Sequence, residues 1–375
     1  MRLFLIALSL LLASACAQTG LPTIGPLPTP ADSVYGYQAE RLSPGVHALN
    51  QGAQFHLQPR GNVGVIEQSD GIVLVDSGGS PAGAEQVIAF IRSISDKPVT
   101  AIVLTHWHGD HALGVSRLLQ EWPRARVIST APTREMLASP DADRFMPGDN
   151  AQANAGFMAD IQDGANFLQQ AAQDQNLHEA DRAGFAQAAR EYEQFGREMA
   201  VARRVAPTEI FDGSVTLPDR VHPIEVRFFG RANTSGDAIV WLPRQRIVFT
   251  GDVVVAPVPY GFNSYPSEWI GVLNQIKALN YAVLAPGHGQ TMRDSVYLDH
   301  LIAMLSDVRT QVAPLAATDL TAEAASAQVN LDVARDELAG EDRWLRRWFR
   351  NYWKDPIVSS ALREARGQPI VQGAE

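Results

Sequence analysis

The sequence predicts an α/β fold, a layered α/β/β/α sandwich, and three observations carry that prediction. Short strand-like runs fall in two separate halves of the chain, 63–75 with 99–129 and 224–250 with 282–285. Helical stretches with apolar residues at i, i+3 and i+4 lie between and after them. With 375 residues and 46% hydrophobic content, the chain is long enough for one large domain with appendages and a sizeable core.

The elements follow in order. Met1-Arg2 and the apolar run Leu3 to Ala13 have the charge, length and small-residue ending of a secretory signal, so residues 1–17 are excluded from the fold. Two cleavage readings stand side by side. Ala13-Ser14-Ala15 before Cys16 resembles a bacterial lipoprotein site, with Cys16 lipidated and membrane-attached; Ala13-Ser14-Ala15 or Ala15-Cys16-Ala17 also reads as an A-x-A cleavage triplet. Either places the protein outside the cytoplasm, in the periplasm or anchored to a membrane, and a single Cys allows no intrachain disulfide. A net charge of -10 and a pI near 5.4 argue against nucleic acid as a partner, which needs a basic footprint. Residues 18–40, with Pro and Gly dense over 20–30, read as a linker.

The main domain is placed at 41–305. Val46 to Leu49 begins the sheet, and Val63 to Ile66 and Ile72 to Val75 form a hairpin through Ser69-Asp70-Gly71. Val87, Ile88, Ile91 and Ile94 share one face of a helix over 83–94, and Pro98 marks the return to a strand over 99–104. A helix from near Ala112, a strand Arg126 to Ser129 and a short helix begun by Pro132 come next. Over about 141–205 the chain turns rich in Ala, Gln, Asp and Glu, which suits a two-helix insertion. Phe145, Met146, Phe157 and Met158 are its candidate pocket residues, each of them also able simply to pack. Strands resume at 224–229, 238–242 and 246–250, followed by a helix over 267–280 and a strand over 282–285. His47, His56, His178, His222 and His300 read as structural or solvated. The extension 306–375 is helical, and Trp344, Trp348 and Tyr352 recur every four residues beside Leu345, Phe349 and Trp353, with Arg and Lys opposite. Packing against the domain or a second subunit is preferred for this stripe over a membrane-surface role.

The chemistry concentrates in Val103-Leu104-Thr105-His106-Trp107-His108-Gly109-Asp110-His111, an H-x-H-x-D-H frame at the end of an apolar strand. In extended chain His106 and His108 project to the same side and can share one metal. Asp110 and His111 diverge at the start of a helix, towards a second metal. Imidazole with carboxylate suits Zn²⁺, and Fe or Mn by ligand type.

Together with Asp70-Gly71-Ile72-Val73-Leu74-Val75-Asp76-Ser77-Gly78, Phe249-Thr250-Gly251-Asp252 and Ala285-Pro286-Gly287-His288-Gly289, this frame resembles the metallo-β-lactamase superfamily of hydrolases, from about Gly45 to His288. The resemblance implies a four-layer αβ/βα sandwich with the helical insertion and helical tail added. It also implies a dizinc site, with His106, His108 and Asp252 on one ion, and Asp110, His111, His288 and the shared Asp252 on the other. Asp110 could also accept a proton during turnover. Asp76 would brace the metal loop by hydrogen bonds, although a turn-forming Asp before Gly fits the local sequence equally. The chain departs from the pattern at Gly230-Arg231-Ala232-Asn233-Thr234, where Asn233 replaces a ligating His and is assigned as an oxyanion donor or weak ligand.

The expected activity is hydrolysis of an ester, thioester, lactone or related carbonyl in a small-molecule substrate, by hydroxide formed on the metals, as in glyoxalase II-type relatives. Asp252 stands where zinc β-lactamases carry Cys or Ser, which leaves β-lactamase activity as an alternative. A non-catalytic or mononuclear metal-binding exported protein is another. Tyr260, Phe262 and Tyr265 are candidate pocket walls, and oligomeric state is left open.

Overall fold

The computed structural model describes residues 23–26, 36–148 and 150–372. The signal segment 1–17, with Cys16, and most of the linker lie outside the described residues.

Strands β1 (Thr23–Pro26), β2 (Gln38–Ser43), β3 (Val46–Asn50), β4 (Val63–Glu67), β5 (Ile72–Val75), β6 (Val99–Val103), β7 (Arg126–Thr130) and β8 (Glu209–Phe211) form one sheet in sequence order. It is antiparallel from β1 to β5 and parallel from β5 to β8. The second sheet has the order β13-β12-β11-β10-β9, with β9 (Ser214–Leu217), β10 (Ile224–Phe228), β11 (Ala238–Leu242), β12 (Ile247–Phe249) and β13 (Val283–Ala285).

Side-chain alternation makes the four layers. On β5 and β6, Val73, Val75, Ala101 and Val103 face the second sheet, where they meet Ala238, Val240 and Phe249. Their neighbours Ile72, Leu74 and Ile102 face outward against Val87, Ile88 and Ile91 of helix α1 (Pro81–Ile94). On β11, Ile239 and Trp241 point the other way, into a third cluster with Trp269 and Leu273. Strands buried on both faces are why these runs read as continuously apolar in the sequence. The helix α1 starts at Ser80, whose hydroxyl accepts from the Gly83 amide (3.0 Å), with Pro81 in the first turn.

After β6 come the short helices α2 (Gly109–Ala112) and α3 (Val115–Glu121), and after β7 the helix α4 (Ala131–Ala138). The insertion is an antiparallel helix pair, α5 (Ala151–Gln173) and α6 (Glu179–Met199). It is tied to the loop before β4 by buried polar contacts. Glu191 takes His56 Nδ1 (2.8 Å) and the Leu57 amide (2.9 Å), and Glu198 takes Arg60 and the Ser80 hydroxyl (2.5 Å). Two buried carboxylates answered in this way hold the insertion in register with the loop it covers.

In the second half, α7 (Pro266–Ala278) and α8 (Val296–Val312) cover the second sheet. The tail continues through α9 (Ala322–Ser326), α10 (Asp332–Ala339) and α11 (Arg343–Trp348), a π-helix over Phe349–Lys354, and α12 (Asp355–Ala365). Its aromatic stripe packs on the domain: Phe349 and Trp353 are buried in the same cluster as Trp269, and Trp344, Trp348 and Tyr352 lie against it. The helix α8 begins at Val296, so a boundary at 306 falls inside a helix. Among the described residues no helix is long and apolar enough to cross a membrane. Trp353 is fully buried, 5.9 Å from the Trp269 ring. Trp353→Ala is therefore expected to cost about 3–5 kcal/mol in urea unfolding, and a loss below about 1 kcal/mol would mean the tail adds little to the core.

Candidate metal centre

The polar residues gather where the ends of β6, β12 and β13 meet. Asp76, with φ +63°, follows β5 directly and turns its carboxylate under the next strand end. Its Oδ1 accepts from the Thr105 amide (2.8 Å), and its Oδ2 lies 2.8 Å from His111 Nδ1. The Thr105 hydroxyl is 2.9 Å from both Asp76 Oδ2 and His106 Nδ1. The contacts of Thr105 with His106 and of Asp76 with His111 occupy the Nδ1 side of each imidazole and leave its Nε2 turned inward.

Asp252 lies in a single 3-10 turn (Gly251–Val253) that follows β12, and His288 in the loop after β13. The second sheet thus brings both to the residues of the first. Asp252 Oδ2 faces His106 Nε2 (3.6 Å) and His108 Nδ1 (3.9 Å), and Oδ1 faces His111 Nε2 (3.0 Å) and His288 Nε2 (3.5 Å). Asp110 Oδ2 closes the second group, 2.9 Å from His288 Nε2 and 3.4 Å from His111 Nε2. Ligand-capable atoms of His106, His108 and Asp252 lie within 4.8 Å of one another, as do those of Asp110, His111 and His288. The structure thus brings His106, His108 and Asp252 together, and Asp110, His111 and His288 beside them, with Asp252 Oδ1 facing the second set.

The electrostatics are those of a cation site. Burial opposes charge on Asp252, yet the imidazoles of His111, His288 and His106 hold its carboxyl well below the usual carboxylate range. Burial likewise opposes charge on Asp110, but His111 and His288 outweigh it and bring the group down to about 2. His106 is pushed down to about 4, first by burial and then by His111, which keeps its ring neutral with a free lone pair. His106 Nε2 and both Asp252 oxygens are buried without hydrogen-bond partners. Buried acceptors left open in one place, from nitrogen and carboxylate donors, fit a divalent metal.

Asn233 is 1% exposed on the loop between β10 and β11. Asp237 builds that loop: its Oδ2 accepts from the amides of Ala232 (3.1 Å) and Thr234 (2.7 Å), and its Oδ1 from the Thr234 hydroxyl (2.8 Å). Burial pushes Asp237 up to about 7, against the hydrogen bonds from Thr234. The Asn233 Nδ2 donates to the Tyr260 carbonyl (2.7 Å), and Oδ1 is buried without a partner. One N–H of Nδ2 is thus taken, and the free Oδ1 offers an acceptor, which suits the weak-ligand role.

A cavity of about 190 Å³ opens on His108, Asp110 and Asn233. Its walls are Trp107, Leu113, Phe145, Phe195, Tyr260, Phe262 and Tyr352, with Gln58, Pro59 and Gly109, and among the described residues no Lys or Arg lines it. Phe145, Tyr260 and Phe262 stand where the sequence placed pocket residues. Met146 and Phe157 are core, Met158 packs against that core, and Tyr265 is buried under the Arg231 guanidinium. Phe195 of α6 and Tyr352 of the π-helix were not singled out as wall residues; Phe195 shares one apolar stripe with Phe185, Ala188 and Met199, which pack in the core, and Tyr352 shares one with Trp344 and Trp348, so no local pattern marks the residue that reaches the cavity. A larger cleft of about 730 Å³ lies among Arg343, Arg347 and Arg350 and shares no residue with the ligand groups.

Fold and site together define a class, and the chain belongs to the metallo-β-lactamase superfamily, whose sequence model matches residues 58–288. Among curated relatives, a linear primary-alkylsulfatase of Pseudomonas sp. is 25% identical over 252 residues, 65% of this chain and 44% of that protein. An atrochrysone carboxyl ACP thioesterase of Pseudocercospora fijiensis is 34% identical over 113 residues, 28% of this chain and 33% of that protein. In fold, the chain is similar to the stereoselective inverting sec-alkylsulfatase of Pseudomonas sp., with a TM-score of 0.60 at 16% identity, covering 90% of this chain and 51% of that one. The chain thus spans about half the length of the alkylsulfatases it matches.

Proposed function

We propose that this chain is a metal-dependent hydrolase, holding two zinc ions, that cleaves an uncharged ester, thioester or lactone with an apolar body. The observation that carries the reading is the cavity: aromatic walls without a cationic side chain open onto both ligand groups. His106, His108 and Asp252 would hold one ion, with Asn233 Oδ1 as a further weak oxygen ligand, and Asp110, His111 and His288 the other, sharing Asp252. Ions bound there supply Lewis acidity and make water acidic enough to lose its proton near neutral pH.

The chain's own residues then do the positioning. Phe145, Phe195, Phe262 and Tyr352 take up the apolar body and exclude bulk water from beside the ligands. Asp110 lines the cavity, which places a carboxylate beside the substrate to accept a proton. Asp76 and Thr105 hold the rings of His111 and His106 in one tautomer and orientation.

A second reading, hydrolysis of an alkyl sulfate, is favoured by the extent of the similarity to the Pseudomonas alkylsulfatase. The apolar walls suit an alkyl chain equally well, and the anionic head separates the two, because among the described residues no Lys or Arg lines the cavity to meet it. The test is turnover by zinc-loaded protein on a matched panel of acyl esters, acyl thioesters, lactones, alkyl sulfates and β-lactams. The first three classes are expected to be turned over and the sulfates not. Sulfate turnover exceeding ester turnover would replace the first reading with the second, and no turnover of any class would favour a metal-binding protein. On the best substrate, Tyr352→Ala and Phe195→Ala are each expected to raise KM about tenfold, the loss of a partly buried aromatic contact. Unchanged KM in both would place the substrate elsewhere.

A further inference from the structure

A hydrolytic site must stabilise negative charge that builds up on the substrate oxygen, and preorganised N–H or O–H donors do part of that work. The side-chain donors on the walls of this cavity are few, and most are already engaged. Trp107 Nε1 donates to Gln372 Oε1 (3.0 Å), the Tyr352 hydroxyl to the Leu57 carbonyl (3.3 Å) and one N–H of Asn233 Nδ2 to the Tyr260 carbonyl (2.7 Å). The Gln58 side chain is hydrogen-bonded to Tyr192. His108 belongs to a ligand group.

The Tyr260 hydroxyl differs from these. It has no hydrogen-bond partner among the described residues, although the rest of the residue is held on every side. The ring lies 5.3 Å from that of His288 and 5.5 Å from that of Tyr352. The backbone is fixed at its carbonyl by Asn233, and the next amide, Gly261, donates to the Tyr352 carbonyl (2.8 Å). Tyr260 lines the cavity beside the ligand group of Asp110, His111 and His288, and its hydroxyl has a donor that no described residue takes.

We propose that the Tyr260 hydroxyl donates the hydrogen bond that stabilises the developing oxyanion of the substrate, which makes Tyr260 a catalytic residue. The assignment rests on the reading of the chain as a hydrolase of carbonyl esters. It also accounts for the orientation of Asn233, whose amide anchors the loop that carries this phenol.

The test compares wild type, Tyr260→Phe and Tyr297→Phe as full-length, zinc-loaded protein. Tyr297 is a control phenol that donates to the Val255 carbonyl (2.5 Å) and does not line the cavity. Two quantities are read: kcat and KM on the best ester of the panel, and calorimetric affinity for an alkyl phosphonate monoester, a tetrahedral anion. For Tyr260→Phe, kcat is expected to fall about 10²-fold with KM within about threefold, and phosphonate affinity to fall at least about tenfold. Metal content and melting temperature should match wild type, and Tyr297→Phe should change neither kcat nor phosphonate affinity. Parity of Tyr260→Phe with wild type in kcat and phosphonate affinity would overturn the assignment while leaving the ester reading intact. No ester turnover, with phosphonate binding that still depends on Tyr260, would sink the ester reading and support the donor. A wild type that neither binds phosphonate nor turns over an ester would overturn both.

Discussion

With two zinc ions per chain as proposed, Asp252→Ala is expected to lower bound zinc to one ion or fewer, and turnover by at least about 10³-fold, the several kcal/mol a catalytic metal supplies. The size of the effect follows from the way its two oxygens are shared. One faces His106 and His108, the other His111 and His288, and neither has a hydrogen-bond partner. Without this carboxylate the first group keeps two imidazoles and the negative charge between the groups is gone. Asp252→Asn separates charge from shape, since it keeps the volume and one oxygen. Metal analysis after gel filtration decides the matter: two ions retained by Asp252→Ala would show that the bridge is dispensable. Loss of metal should also lower stability, by about 4 kcal/mol if the free ion stands at a thousand times its dissociation constant.

Gly61→Ala is expected to weaken metal binding 10–100-fold, as loss of a ligand's supporting contact does, although Gly61 is no ligand. A Cβ at this position would lie 2.4 Å from both Cε1 and Nδ1 of His111. Neither side can readily give way. The Gly61 amide donates to the Asp110 carbonyl (3.0 Å), its carbonyl accepts from the Tyr37 hydroxyl (2.8 Å), and His111 is held by Asp76. The methyl group must therefore move the imidazole off Asp76 or break the loop contact, at about 1–3 kcal/mol of stability. Gly271→Ala is the matched control: nothing lies within 4 Å of a Cβ there, and the residue sits inside α7. It is expected to stabilise by about 0.5–1 kcal/mol. Competition with a chromophoric chelator reads the affinity, and an unchanged value for Gly61→Ala would mean the loop yields more easily than its contacts imply.

What the sequence disclosed and what it withheld divide along a physical line. His106, His108, Asp110 and His111 were legible because four chemically special residues at fixed short spacing follow one apolar strand, and Asp252 and His288 only through the resemblance of Phe249-Thr250-Gly251-Asp252 and Ala285-Pro286-Gly287-His288-Gly289 to motifs of the family. The layers were legible because β5, β6 and β11 are apolar on both faces. The orientation of Asn233 was not, because a carbonyl 27 positions away sets it. Nor were Phe195 and Tyr352, which reach the cavity from the insertion and the tail. The four-residue recurrence persists, Trp344 to Trp348 (5.3 Å) and Trp348 to Tyr352 (5.4 Å), but nothing in it tells that Phe349 and Trp353 enter the core while Tyr352 reaches the cavity. The strands β1, β2, β8 and β9 were missed: β1 and the start of β2 lie in the stretch 18–40 read as a linker, and β8 and β9 are short or lack a continuous apolar face. Their pairing comes from neighbours elsewhere in the chain.

Because each ligand group takes members from both sheets, the order of synthesis bears on when metal can be captured. His111 and His288 are 177 positions apart, an interval the ribosome covers in roughly 10–35 s at about 5–20 residues per second. During that time the emerging chain displays two imidazoles of one group and an Asp-His pair of the other, with neither group complete. An ion held by such a fragment would be held loosely and exchanged. Tight loading then belongs to the finished fold, and the metal supply that matters is that of whichever compartment the chain folds in.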